Sequence, residues 1–393
     1  MPTLSFQTAG ESHGQSLIAI IQGLPAGLRV DFDFVNSQLR RRQGGYGRGG
    51  RMKIETDQAQ YLSGVRLGET IGAPVTLLIE NKDWTNWQDA LSVDDRPLAR
   101  EKYKPLSPPR PGHADLAGCL KYNFREGRFI LERASARETA SRVAVGAMAQ
   151  LLLANFGIEI ASHVTAVGKV ELPPKPVPWE RIRALREQQE IILSCVDSET
   201  EAQMKAEVDK ALKTKDSLGG TFEVIAHNVP PGLGTHTQWD RRLDGLLAQA
   251  IVSIQAVKAV EIGSGITNAS SFGSKVHDAI NYDGKKSSFI RPTNRAGGIE
   301  GGITNGEDVV VRGYLKPIST LRQPLESVDL ETKESVKAAY ERSDICVVPA
   351  AGVTGEAMVA WVLAGAFLDK FGGDSLKETS RNFEGYMDQV KKF

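Results

Sequence analysis

The stretch from Val353 to Phe371 limits the fold more than any other part of this chain. It is apolar around nearly its whole circumference, with Glu356 and Asp369 as its only acidic residues. A helix of this kind is covered on more than one side. Its interruptions keep it short of a continuous membrane span, so it reads as a buried core helix. Glu132–Phe156 has the apolar spacing of a second long helix, closed by Gly157. The first half of that segment is rich in Ala and Ser, which lets a neighbour pack closely. Trp239–Val260 reads as a third helix. Strands are predicted at Leu4–Thr8, Ser16–Gln22, Met52–Glu55, Pro74–Glu80, Thr221–Ala226 and Asp308–Leu315. Asp33 is placed to cap a helix running to Arg42, with Gly44 as its stop signal. Residues 81–112, with Trp84, Trp87 and five prolines, read as a long irregular segment of the kind that is functional or mobile. Pro174–Ser217 is charged, helix-prone and peripheral in character. With no fixed-period repeat and no clean linker, the simplest reading is one α+β unit spanning residues 1–393.

Charge narrows the function. Lys+Arg 48 balances Asp+Glu 48, which argues against a dedicated nucleic-acid binder. Cys119, Cys195 and Cys346 are far apart and form no CxxC pair, so neither a zinc site nor a disulfide framework is indicated. Scattered thiols fit a reducing compartment. Met1–Gly14 shows no basic region followed by an apolar one. The expectation is a cytoplasmic protein with no membrane partner.

Against that neutral background, residues 40–51 hold five arginines and five glycines in twelve positions. Guanidinium forks match phosphate or carboxylate oxygens two at a time, and glycine lets backbone approach a ligand. Gly45-x-Gly47-x-x-Gly50 formally matches a dinucleotide fingerprint, but that site needs a strand before and a helix after. Here the order is reversed. The run also resembles an Arg-Gly box that binds RNA, or a solvated basic turn. Gly10-Glu11-Ser12-His13-Gly14 has the G-x-S-x-G form of a nucleophile elbow. Only one strand precedes it, so a serine hydrolase is a minor alternative and a plain loop histidine another. Arg110-Pro-Gly-His113-Ala-Asp115 places a second histidine, able to exchange a proton near neutral pH, in a glycine-flanked turn. The six histidines show no metal-binding spacing. Arg133–Thr139 opens a helix, where hydroxyls and N–H groups either meet an anion or simply cap. Gly297–Gly302 and Lys316–Thr320 either wrap a phosphate or flat ring, or form tight turns. Asp344 is a candidate base, or half of an ion pair with Arg342.

Together AGESHG (9–14), RRRQGGYGRGGRMKIE (40–55), RPGHAD (110–115), RASARET (133–139), GGIEGG (297–302), KPIST (316–320) and ERSD (341–344) resemble the chorismate synthase family. The motifs span nearly the whole chain in the family's order. The resemblance implies a β-α-β sandwich, long helices between two antiparallel sheets, assembled as a homotetramer. It implies 1,4-anti elimination of phosphate from 5-enolpyruvylshikimate-3-phosphate to give chorismate, with reduced FMN as cofactor and no net redox change. It places Arg42, Arg48, Arg51, Arg110 and Arg137 on the substrate anions, His13 at the departing phosphate, His113 beside the reduced flavin and Asp344 in the proton relay. FMN contacts fall on Arg133, Ala134, Ser135, Gln255, Ala256, Gly301, Lys316, Pro317, Ile318, Ser319, Thr320 and Arg342. NADPH enters only as a source of reducing equivalents. With no extra domain in view, an external flavin reductase is the expected supplier.

Overall fold

The computed structural model describes residues 4–49, 56–95, 97–103, 105–188, 191–284, 288–340 and 344–393. The predicted strand Met52–Glu55 lies outside them. Alternating apolar residues near the N-terminus build a first sheet. It contains β1 (Ser5–Ala9) and β2 (Ser16–Gln22); after α1 (Phe32–Gln43) come β3 (Ala59–Ser63) and β4 (Val75–Glu80). The order is β1-β2-β4-β3, with every pair antiparallel. Leu17 faces Ile79, Ala19 faces Leu77 and Ile21 faces Val75, so one buried face points to the core. The cap of α1 is Asp31, whose carboxylate accepts the Phe34 N–H at 2.9 Å. Asp33, the expected cap, sits in the first turn instead, where a carboxylate still suits the helix dipole.

The helix expected over Glu132–Phe156 is two helices. α2 (Arg128–Ala134) ends at Ser135, whose ψ is 140°. A 3-10 turn, Ala136–Glu138, leads into α3 (Thr139–Ala154). Ser135 breaks the run because its hydroxyl accepts the Arg137 N–H at 3.3 Å, a capping bond that competes with helix continuation. Next come β5 (Glu159–Val167), β6 (Val170–Glu171), α4 (Ser198–Thr214), β7 (Gly220–His227), α5 (Leu243–Val252), β8 (Val257–Ile262) and β9 (Val309–Leu315). The strands form a second antiparallel sheet in the order β8-β9-β7-β5-β6. The expected helix Trp239–Val260 therefore stops at Val252. Ala256, at φ 69°, turns the chain, and the β-branched residues that follow join the sheet. The irregular segment 81–112 contains two short helices, Trp84–Trp87 and Pro97–Lys102. The charged stretch 174–217 is less peripheral than its composition implies, since Met204, Val208 and Ala211 of α4 are buried in the main core. The chain ends in α6 (Val348–Phe371) and α7 (Leu376–Lys391).

Helices α1, α3 and α6 fill the space between the sheets: α3 packs on the first sheet, and α6 on α3 and on β5 and β7. The β-α-β sandwich is the observed architecture. Among the described residues α6 alone is long and apolar enough to cross a membrane, and 78% of its apolar window is buried inside the fold. Glycines make this layering tight. A Cβ on Gly146 of α3 would lie 2.3 Å from Ala357 Cα of α6. The Phe222 ring of β7 occupies room left by Gly313 and Gly355, where an added Cβ would stand 2.5 Å from it in each case. Glu356 is fully buried on α6. Burial alone raises a carboxyl, but the Arg41 guanidinium at 2.6 and 2.8 Å and the Ser162 hydroxyl at 2.7 Å hold Glu356 below the ordinary range.

Candidate active site

Residues from seven separate stretches of sequence line one cavity of about 720 Å³, within the size range of small-molecule sites. His13 comes from the β1–β2 turn. Gly10 enters that turn at φ 103°, and a Cβ there would stand 2.3 Å from the Ser16 carbonyl oxygen, so the turn needs glycine. Glu132 of α2 fixes its far side. Its backbone carbonyl accepts the Ser12 N–H at 2.8 Å, Oε2 accepts the His13 N–H at 2.8 Å, and Oε1 lies 2.9 Å from His13 Nδ1. Asn81 donates to the Gly14 carbonyl at 2.8 Å. Trp87, from the irregular segment, sets its ring 4.2 Å from the His13 ring.

His113 stands in the second turn, shaped by Gly112 at φ 77°. Its Nδ1 is 2.5 Å from Asp115 Oδ1, and Arg110 donates to the same carboxylate from its backbone N–H, Nε and Nη2. Burial raises the Asp115 carboxyl, but its bonds to His113 and Arg110 outweigh that and hold it well below the usual carboxylate range. It is therefore ionised and accepts only, while Arg110 Nη2 also stands 3.0 Å from His113 Nδ1. Arg110 Nη1 also donates to Thr320 at 3.0 Å, which joins this turn to the Lys316–Thr320 segment.

Asp344 lines the cavity too. Its Oδ1 accepts the Gly49 N–H at 2.6 Å and its Oδ2 lies 3.0 Å from Arg48 Nη1. The arginine–glycine run thus reaches the cavity through this carboxylate. Of the other expected substrate arginines, Arg110 lines the cavity. Arg137 forks onto buried Asp57 at 2.6 and 2.7 Å, and Arg42 Nη1 stands 3.6 Å from the same carboxylate. Arg42 also donates to the carbonyl of Ala136, itself a lining residue, at 2.9 Å. Arg51 lies outside the described residues.

Among the expected flavin contacts, Ala134, Ser135, Gln255, Ala256, Lys316, Ile318, Ser319 and Thr320 line the cavity. Arg133 instead ties to the end of β1, donating to the Gly10 and Thr8 carbonyls at 3.0 Å. Gly301 sits in the tight hairpin Ile299–Thr304, and neither it nor Pro317 is among the lining residues. Arg342 lies outside the described residues. Burial, then the nearby Lys258 charge, lowers the Lys316 ammonium from its ordinary value. Gln255 donates to Glu138 at 3.2 Å, while its buried Oε1 has no partner among the described residues. Sequence reading passed over Glu132, Asp83 and Tyr340. The irregular character of residues 81–112 was the available signal for Asp83; Glu132 looked like an ordinary helix residue.

The family profile of chorismate synthase matches residues 4–368. The chorismate synthase of Acidobacterium capsulatum is 61% identical over 395 residues, covering 99% of this chain and 100% of its own. That of Solibacter usitatus is 62% identical over 390 residues, with the same coverage. A crystal structure of chorismate synthase matches this fold with TM-score 0.79 at 42% identity, over 99% of both chains. The chain belongs to the chorismate synthase family. It is a lyase that eliminates phosphate from 5-enolpyruvylshikimate-3-phosphate to give chorismate, and the family uses reduced FMN. The RNA-binding and hydrolase readings give way to this one. The Ser12 hydroxyl donates to Ser135 Oγ at 3.0 Å, while the adjacent His13 turns Nδ1 to Glu132, so no nucleophile–base pair forms there.

Proposed function

We propose that this cavity holds reduced FMN and the phosphorylated enolpyruvyl substrate together, with the acid–base work divided among His13, His113 and Asp344. The observation that carries the proposal is the convergence of these three residues, distant in sequence, on one cavity beside Arg110 and Lys316. The lining fits a flavin phosphate: Lys316 supplies a cation, Ser319 and Thr320 supply hydroxyls, and the unpartnered Gln255 oxygen is an acceptor for a ring N–H or a ribityl hydroxyl. Bound reduced FMN supplies electron density to the allylic system as the C–O bond breaks, which lets a redox cofactor serve a redox-neutral elimination.

His13 gives a proton to the departing phosphate oxygen. His113, oriented by Asp115, keeps an imidazole donor where negative charge gathers. Asp344 carries away the proton lost from C6, with the Gly49 N–H holding its carboxylate at the cavity. Arg110 holds a substrate anion, and Arg42, Arg48, Arg51 and Arg137 complete the anionic subsites. We further propose that residues 1–393 act as one cytoplasmic domain within a homotetramer, and that flavin is reduced by an external reductase. NADPH oxidation by the protein alone would remove that last point.

The test is turnover with reduced FMN. His13→Ala and His113→Ala each lower it by roughly 10²–10⁴-fold with the oligomer intact by size-exclusion chromatography. Near-wild-type turnover in either variant removes that residue from the mechanism.

A further inference from the structure

We propose that Glu132 is the positioning residue of His13, keeping the proton on Nδ1 so that Nε2 is the nitrogen that serves the departing phosphate. The inference rests on the acid role given above to His13. Glu132 meets the histidine turn through its backbone carbonyl to Ser12, through Oε2 to the His13 N–H at 2.8 Å, and through the ring Nδ1, which lies 2.9 Å from Oε1 and 3.2 Å from Oε2. This two-oxygen grip orients both the backbone and the imidazole of one residue. Glu132 is buried at 6% exposure, so water does not compete for either oxygen.

An ionised carboxylate accepts and does not donate, so the ring nitrogen facing it bears the hydrogen. Charged groups also flank this carboxylate. Arg128, one turn earlier on α2, brings Nη1 to 3.8 Å from Oε1 and lies over the Trp87 ring at 5.4 Å. Asp83 accepts the Trp87 indole N–H at 3.0 Å, which keeps that carboxylate engaged with Trp87. Glu11 lies on the turn itself, and Arg110 reaches the cavity from the opposite motif.

The proton then moves simply. The imidazolium Nε2–H bond breaks and an O–H bond forms on the leaving phosphate. The ring becomes neutral and keeps the proton on Nδ1, hydrogen-bonded to Glu132. A glutamine at position 132 offers one oxygen where the carboxylate sets Oε2 nearest the His13 N–H and Oε1 nearest the ring. Its amide N–H₂ must then face either the His13 backbone N–H, which breaks the grip on the backbone, or the ring Nδ1, which opposes the tautomer required.

The test is a double-mutant cycle on the FMN-loaded enzyme, with wild type, Glu132→Gln, His13→Ala and the double variant. Glu132→Gln is expected to lower kcat about 10–100-fold, in the range seen for residues that orient a functional imidazole, with KM unchanged within about twofold. In the His13→Ala background the same change is expected to cost nothing further, because contacting residues that act as a unit are not additive. An equal loss in both backgrounds would make Glu132 a fold residue and overturn the inference, while His13 kept its role. Full activity of His13→Ala would overturn the acid reading and this inference with it. The unmutated protein gives a second check. With ¹⁵N-labelled histidine, the His13 ring is expected to show a protonated Nδ1, and a neutral ring protonated on Nε2 alone would refute the assignment.

Discussion

Replacing Gly146 by alanine tests whether the two central helices meet backbone to backbone. The new Cβ would fall 2.3 Å from both Cα and Cβ of Ala357 and 2.6 Å from its carbonyl oxygen. Carbon atoms sit comfortably at about 3.5–4.0 Å, so α3 and α6 must part by roughly 1–2 Å. No flexible side-chain end is there to yield. The penalty lies at the upper end of the roughly 1–3 kcal/mol typical of overpacking. Alanine returns about 1 kcal/mol of helix propensity, which leaves a net loss of about 2 kcal/mol. Gly365 of α6 is the matched control, since a Cβ there meets nothing within 4 Å. The same substitution at Gly365 is expected to be neutral or to stabilise by up to about 1 kcal/mol. Urea unfolding followed by far-ultraviolet circular dichroism compares the three proteins at equal concentration. Opposite shifts of the midpoint are expected. A Gly146→Ala protein as stable as wild type, or one that moves with Gly365→Ala, would refute the close helix contact.

Asp115→Asn should remove about 3 kcal/mol at neutral pH, because it leaves the buried Arg110 guanidinium without its charge partner. The Asp115 carboxyl is depressed in the folded protein. Its contribution is therefore fully present above the unfolded value near 4 and is lost as pH falls toward the depressed one. The gap between variant and wild type should narrow in melts below about pH 4, and a gap that widened there would contradict the ionised pair. Arg48→Ala should weaken substrate binding, by about 2–5 kcal/mol if its anionic partner stays buried, and oxidised FMN far less. Calorimetric titration of each ligand decides, and loss of FMN binding alone would remove Arg48 from the substrate site.

The sandwich was readable because α6 has no polar side on which to rest, and β1, β2 and β9 alternate or are β-branched as exposed-and-buried strands must be. What escaped was decided by single residues. Ser135 interrupts an apolar pattern that continues across it, since its hydroxyl caps the next turn. Val257–Ile262 follows directly on a helical pattern, and only the left-handed turn at Ala256 separates the two. His13, His113 and Asp344 were legible from local motifs. The partner of His13 was not, because Glu132 lies 119 residues away in what looked like an ordinary helix. Likewise, nothing local to Arg42 or Arg137 revealed that both converge on Asp57.

The place of α6 along the chain bears on how the protein is born. This helix separates the two sheets, yet it ends at Phe371, 144 residues after β7 ends at His227. At ribosomal speeds of about 5–20 residues per second, that is an interval of roughly 7–30 s. Throughout it, the inner face of the second sheet, carrying Phe222 and Val224, lacks the helix that covers it. A nascent chain halted before residue 348 lacks the helix that closes the main core, and leaves the inner face of the second sheet exposed. The late helix thus makes translation of the last third the period in which this protein depends most on chaperones.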